Sequence, residues 1–175
     1  LIKQEFNTGV DHAGSDIGQP ASFFVGCALN LSSDKVESEA RTLCRKIRAG
    51  ADFILTQPIY DPSLIELFLE YYEDAYQPLQ IPIITGVLPL ANARHAAFLQ
   101  HEVPGIDIPS HIQNKMIQAG NAANDRASGE QAGIEIAIEL IQQVKSYVSG
   151  IYLMPPFKRY DMAATIIEEI RSQTP

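Results

Sequence analysis

Four short apolar runs, each followed by a stretch with helical period, set the strongest constraint on this chain. The runs are SFFVGCAL at 22–29, ADFILTQ at 51–57, IPIITGVLPL at 81–90 and GIYLM at 150–154. Continuous apolar runs of this length suit strands of a parallel sheet covered on both faces. Between the first two, Val36, Ala40, Leu43 and Ile47 recur at the spacing of one helix face. Asp34 with Glu37 predicts a capping pair at the start of that helix, and Gly50 predicts its left-handed end. Asp61-Pro62 predicts an N-cap followed by proline at the first helical position. The apolar residues Leu64, Ile65, Phe68 and Tyr72 follow.

Further along, short helices are expected near 92–101 and 111–119, a long one over 126–148 and a last one over 160–171. Residues 1–8 read as a short helix, and 9–21, which contain His12, read as a loop. Gly26 inside the first run predicts a close approach by a ligand or another backbone.

The pattern is β-α four times, with an insertion before the fourth strand. Each crossover is long enough for a right-handed parallel connection. Two architectures remain open: a doubly wound open sheet, complete in itself like a flavodoxin, and part of a (β/α)8 barrel. A whole barrel needs about 250 residues, so a chain of 175 residues is expected to supply only part of one. Its opening, Leu-Ile-Lys-Gln-Glu, carries neither an initiator methionine nor a secretion pattern, which is expected of a piece of a longer polypeptide.

Composition excludes some functions. A hydrophobic fraction of 46% supports a sizeable core. The net charge of −8 argues against nucleic acid as a partner. No apolar run reaches the ~18 residues of a membrane helix, so no membrane partner is expected. Cys27 and Cys44 are expected to be buried inert thiols, and His95, His101 and His111 have no metal-ligand spacing.

Ligands gather at the C-terminal ends of strands in both architectures. Gln57 is the sharpest candidate, because its amide offers donor and acceptor at a strand end. The competing reading is a structural bond to loop backbone. Asn30 is a weaker candidate of the same kind. Lys46 and Glu39 lie seven residues apart, on roughly one face of the first helix, where a solvated lysine is the simpler reading. Tyr152 serves as pocket wall or barrel core, and Met154 as packing. No motif supplies a general acid or base.

The segments ASFFVGCALN, KIRAGADFILTQPIYD, IPIITGVLPL and SGIYLMPPFKRYDMA together resemble the methylenetetrahydrofolate reductase family. The resemblance covers about residues 1–172 and is closest to bacterial two-domain proteins that join a homocysteine S-methyltransferase to the reductase. It implies an α/β fold in which 1–175 form the C-terminal half of a (β/α)8 TIM barrel. The four parallel strands would be barrel strands five to eight, with helices outside. It implies a cytoplasmic flavoprotein that reduces 5,10-methylenetetrahydrofolate to 5-methyltetrahydrofolate through FAD and NAD(P)H.

Residue by residue, Gln57 matches the glutamine that reaches the folate pterin and lies close to the flavin. Cys27, Ala28 and Leu29 match the strand beside the flavin. Lys46 matches a lysine that contacts FAD, and Glu39 an acidic residue that meets its ribityl or ribose part. Leu99 falls where one branch places a phenylalanine that stacks on folate or nicotinamide. Tyr152 and Met154 match residues lining the last strand, and Arg159 one serving a polar ligand group. The resemblance places the folate-activating general acid on barrel strand one, outside this chain. The segment alone is therefore expected to be inactive, and its exposed strand edges predict a homo-oligomer or pairing with the N-terminal half-barrel. The alternative is a self-contained α/β ligand-binding or interaction module.

Overall fold

A right-handed crossover that always steps to the next neighbour places every helix on the same side of the sheet. In the computed structural model, which describes residues 1–123 and 126–173, each connection steps to the next neighbour in the sheet. Strands β1 (Gly26–Leu29), β2 (Phe53–Pro58), β3 (Ile83–Val87) and β4 (Gly150–Leu153) form one sheet in the order β1-β2-β3-β4. All three pairings are parallel, with Gly26 opposite Phe53, Ile54 opposite Ile83 and Ile84 opposite Gly150. A doubly wound sheet reverses its strand order at a switch point. No reversal occurs among the described residues, so the topology is that of a half-barrel and not of a flavodoxin-like sheet.

Among the described residues six helices connect and cover the strands: α1 (Val36–Arg48), α2 (Ser63–Ala75), α3 (Ala93–Glu102), α4 (Ser110–Ala123), α5 (Arg126–Val144) and α6 (Tyr160–Ser172). Strand side chains Leu29, Ile54, Ile83 and Val87 pack with Leu43 of α1, Ile65 of α2, Leu140 of α5 and Ile166 of α6 in one core. The insertion before β4 builds a second core, in which Leu99 of α3, Met116 of α4 and Ile136 of α5 close over Tyr60 and Leu90.

Several local expectations are corrected by specific hydrogen bonds. The first strand is shorter than 22–29, because side chains take the backbone groups that would extend it. The Asn7 amide donates to the Phe23 carbonyl and accepts from its N–H, both at 3.0 Å. The Asp52 carboxylate accepts from Val25 N–H at 2.6 Å. The Asp34–Glu37 capping pair does not form: Ser33 Oγ accepts the Lys35 N–H, and Glu37 pairs with Arg41 one turn on. Gly50 is left-handed, at φ +96°, as its place after α1 predicts. Asp61 accepts the Ser63 N–H at 2.9 Å and so caps α2. Residues 1–8 contain only a three-residue 3-10 turn, Phe6–Thr8. α4 runs beyond 111–119, and α5 ends at Val144 rather than 148.

Candidate functional site

Side chains alternate across a strand, so the helix-facing core identifies the opposite, open face. Cys27 and Leu29 pack with the helix-facing core, and Ala28 between them is exposed. Ile151 and Leu153 pack against the same core, which leaves Tyr152 and Met154 for the open face. A Cβ placed on Gly86 would meet Tyr152 Oη at 2.8 Å and Met154 Cε at 3.0 Å. The Tyr152 ring therefore lies across β3, and only a glycine there leaves room for it. Its hydroxyl donates to the Thr56 carbonyl on β2 at 2.6 Å.

Thr56 and Gln57 sit at a register shift in β2, between Leu55 and Pro58. The Thr56 hydroxyl donates to the Gln57 carbonyl at 2.7 Å and accepts the Gly86 N–H at 3.0 Å. These bonds, with Tyr152, fix the backbone that carries Gln57. Gln57 itself is exposed between buried Thr56 and Pro58. Among the described residues its side-chain amide has no hydrogen-bond partner. Gln57, Tyr152 and Met154 thus gather at the C-terminal ends of β2 and β4, around Gly86. Thr56, which the sequence did not mark, is the central polar connection between them.

The remaining candidates are placed elsewhere. The Cys27 and Leu29 side chains face the helices, so a ligand on the open face meets only the backbone of β1 and the Ala28 methyl. Burial pushes the Cys27 thiol up, against a smaller opposing effect of the Lys46 charge. Lys46 Nζ donates to the Ala28 carbonyl at 2.6 Å. β1 is an outer strand of the sheet, and this bond satisfies one of its carbonyls. Helical side chains lean toward the helix N-terminus, which is how a residue near the end of α1 reaches that far along β1. Glu39 is half-buried on the same helix.

Leu99 is 5% exposed in the second core. It is a packing residue here, because the insertion folds α4 and α5 over it. Arg159 is also occupied: its guanidinium holds Asp161 at 2.6 Å and pairs with Glu130 of α5. These partners raise its pKa further, Asp161 first and Glu130 second, and hold the Asp161 carboxyl down at about 2. His95 is buried, which pushes its pKa down, and its Nδ1 accepts the Ala91 N–H at 3.2 Å. His12 is exposed in its loop. Among the described residues no cluster of histidine, cysteine and carboxylate side chains is arranged to hold a metal. No described helix is long and apolar enough to cross a membrane.

Comparison with known proteins gives a consistent result. The sequence profile of the family described as "Methylenetetrahydrofolate reductase" matches residues 14–171. Methylenetetrahydrofolate reductase 2 of Saccharomyces cerevisiae is 28% identical over 131 residues, covering 73% of this chain and 20% of that protein. Methylenetetrahydrofolate reductase (NADH) 1 of Arabidopsis thaliana is 33% identical over 76 residues, covering 41% of this chain and 12% of that protein. The chain thus spans about a fifth or less of the length of these relatives. A solved structure from Clostridium thermocellum, of an uncharacterized protein that binds two copies of 5-methyl-5,6,7,8-tetrahydrofolic acid, shares the fold. Its TM-score is 0.58 at 17% identity, over 87% of this chain and 55% of that one.

Proposed function

The chain belongs to the methylenetetrahydrofolate reductase family, and we propose that it forms the C-terminal half of the barrel in a reductase that converts 5,10-methylenetetrahydrofolate to 5-methyltetrahydrofolate. In this reading 1–175 supply barrel strands five to eight, and another part of the polypeptide supplies strands one to four and the general acid. The full protein is cytoplasmic, uses FAD and NAD(P)H, and also carries a homocysteine S-methyltransferase domain. The two outer strands of the sheet, β1 and β4, meet the N-terminal half-barrel or a second copy. The folate ligand of the Clostridium thermocellum structure supports a folate as substrate.

The observation that carries the reading is the exposed Gln57 amide at the C-terminal end of β2, which has no partner among the described residues. A buried or surface-bonded glutamine is the simpler structural outcome, and this one is held clear by the Thr56 and Tyr152 hydrogen bonds beneath it. The open face fits a flat heteroaromatic group: exposed Ala28 keeps the β1 side low, and Tyr152 and Met154, which lie over Gly86, bound the other side. Gln57 would hold such a group by its polar edge, and Tyr152 and Met154 would exclude water from one side. FAD, when bound, supplies hydride acceptance from NAD(P)H and hydride donation to the folate. Ala28 and the β1 backbone, rather than Cys27 or Leu29 side chains, would lie beside it, and Lys46 would hold that backbone in place.

The test is Gln57→Leu in the full-length protein, with the two half-reactions measured separately. Leaving a buried partner of the amide unpaired costs about 1–3 kcal/mol, a factor of about 5–150. That loss is expected in folate-dependent reoxidation of the flavin, with little change in its reduction by NAD(P)H. Equal loss in both would assign Gln57 to positioning the flavin. No loss in either would remove it from the site. The isolated chain is expected to show no turnover even with added FAD.

A further inference from the structure

The loop after β4 holds an exposed aromatic ring in a backbone conformation that such a residue rarely adopts. Phe157 has φ 51° and ψ 34°, and Lys158 follows at φ 63°. A bulky residue in this left-handed region is an outlier. Phe157 is nevertheless 71% exposed, so burial of its ring does not hold it there.

The surroundings do. Pro155 and Pro156 precede the pair, and proline fixes φ. The Arg159 N–H donates back to the Pro156 carbonyl at 2.9 Å, which closes the turn. The Arg159 guanidinium then anchors the far side to Asp161 and Glu130. Below, the Phe157 ring rests on His95 with centroids 4.9 Å apart and planes 59° apart. His95 is itself fixed, since Nδ1 accepts from Ala91 N–H. Strain that the surrounding structure over-determines in this way collects at ligand sites. The loop lies at the C-terminal ends of β3 and β4, the end of the sheet that carries Gln57, Tyr152 and Met154. Next to the ring, Lys158 is exposed, and among the described residues its ammonium has no hydrogen bond or ion pair.

We propose that Phe157 and Lys158 form a preorganised clamp for a ligand that combines a planar heteroaromatic ring with an anionic group. Phe157 is the stacking platform, and Lys158 pairs with the anion. The proposal rests on the reductase reading, in which a folate with its carboxylate tail and a nicotinamide dinucleotide with its pyrophosphate both have this chemistry.

The experiment is equilibrium dialysis of the oxidised full-length protein with folic acid and, separately, with NAD+, together with urea unfolding of each variant. Phe157→Gly is expected to weaken folic acid, NAD+ or both by about two- to tenfold, and the arm that moves identifies the ring. The same variant is expected to unfold at an unchanged or higher urea midpoint, because glycine accepts a positive φ without strain. Phe157→Tyr keeps the ring and restores binding. Lys158→Met weakens the same probe and reduces its salt dependence.

Unchanged binding of both probes by Phe157→Gly overturns the proposal. So does a lowered urea midpoint for that variant, which would mean that another part of the polypeptide covers the ring. A wild-type protein that binds neither probe overturns the reductase reading itself, and so is distinguishable from failure of the clamp alone.

Discussion

Among the described residues three glycines lie within helices, and the same substitution to alanine is expected to have a different sign at each. Gly133 of α5 lies against the loop after β3. A Cβ there would fall 1.7 Å from the Leu90 carbonyl oxygen and 2.7 Å from its carbon. Both obstacles are backbone, so no side chain can rotate away, and α5 would have to move by more than 1 Å, since real Cβ contacts stay beyond about 3.0 Å. Such a shift disturbs both cores, because α5 contributes Leu140 and Ile141 to one and Ala132 and Ile136 to the other. Overpacking of this kind costs about 1–3 kcal/mol, and contact with backbone places it at the upper end. Alanine returns about 0.8–1 kcal/mol of helix propensity. The net expectation for Gly133→Ala is about 2 kcal/mol of destabilisation, a fall in Tm of roughly 4–8 °C for a chain of this size. At Gly129 the nearest atom to a Cβ is the Ala91 carbonyl oxygen at 3.3 Å, so a displacement of a few tenths of an ångström offsets the propensity gain and the change is close to neutral. At Gly120 of α4 nothing lies within 4 Å, and alanine stabilises by about 0.5–1 kcal/mol. Urea unfolding followed by circular dichroism measures all three variants on one scale. A Gly133→Ala protein as stable as Gly120→Ala would refute the close approach of α5 to Leu90.

Three further outcomes follow from single contacts. Asn92 caps α3 by accepting the His95 N–H at 2.8 Å, so Asn92→Ala should lower unfolding stability by about 0.5–2 kcal/mol, and Asn92→Ser should recover most of it. Tyr152→Phe removes the hydroxyl bonded to Thr56 and should cost about 0.5–1.5 kcal/mol, read as a shift in the urea midpoint without a change in slope. Asp161 is depressed from 3.8 to about 2 by Arg159, so its stabilising pairing is complete above pH 3.8 and is lost as pH falls through about 2. Asp161→Asn should flatten that part of the acid-unfolding profile, and superimposable profiles for the two proteins would refute the pairing.

The alternation of apolar runs with helical periods determined the number of strands, their parallel direction and the outer helices, because local burial demands produce those patterns. It also placed Gln57 at a strand end, since the apolar run stops there. Periodicity left the choice between an open sheet and a half-barrel undecided, because both use the same βα unit. Strand order decided it, and order depends on which edges meet after the chain has folded. Two short-range expectations failed for a related reason: the start of β1 and the cap of α1 were each settled by competing side chains, Asn7 and Asp52 in one case and Ser33 in the other. Asn7 lies 16 residues from Phe23, and Asp52 lies 27 from Val25.

The candidate site divides along the same line. Sequence position named Cys27, Ala28 and Leu29 together, but the pleat sends only Ala28 to the open face, and a strand's facing is known only once its core partners are. Leu99 and Arg159 were matched by position along the chain, while the insertion of α4 and α5 buried one and gave the other Glu130. Thr56, Gly86 and Tyr152 form one hydrogen-bonded unit across three strands, with Tyr152 Oη and the Thr56 carbonyl 96 residues apart in the chain. The Pro155-Pro156 pair was visible in the sequence, but the left-handed Phe157 it precedes was not, since nothing local asks a phenylalanine to adopt that conformation. It is held by His95 and by the Arg159 ion pairs, which exist only when α3, α5 and the end of β4 come together.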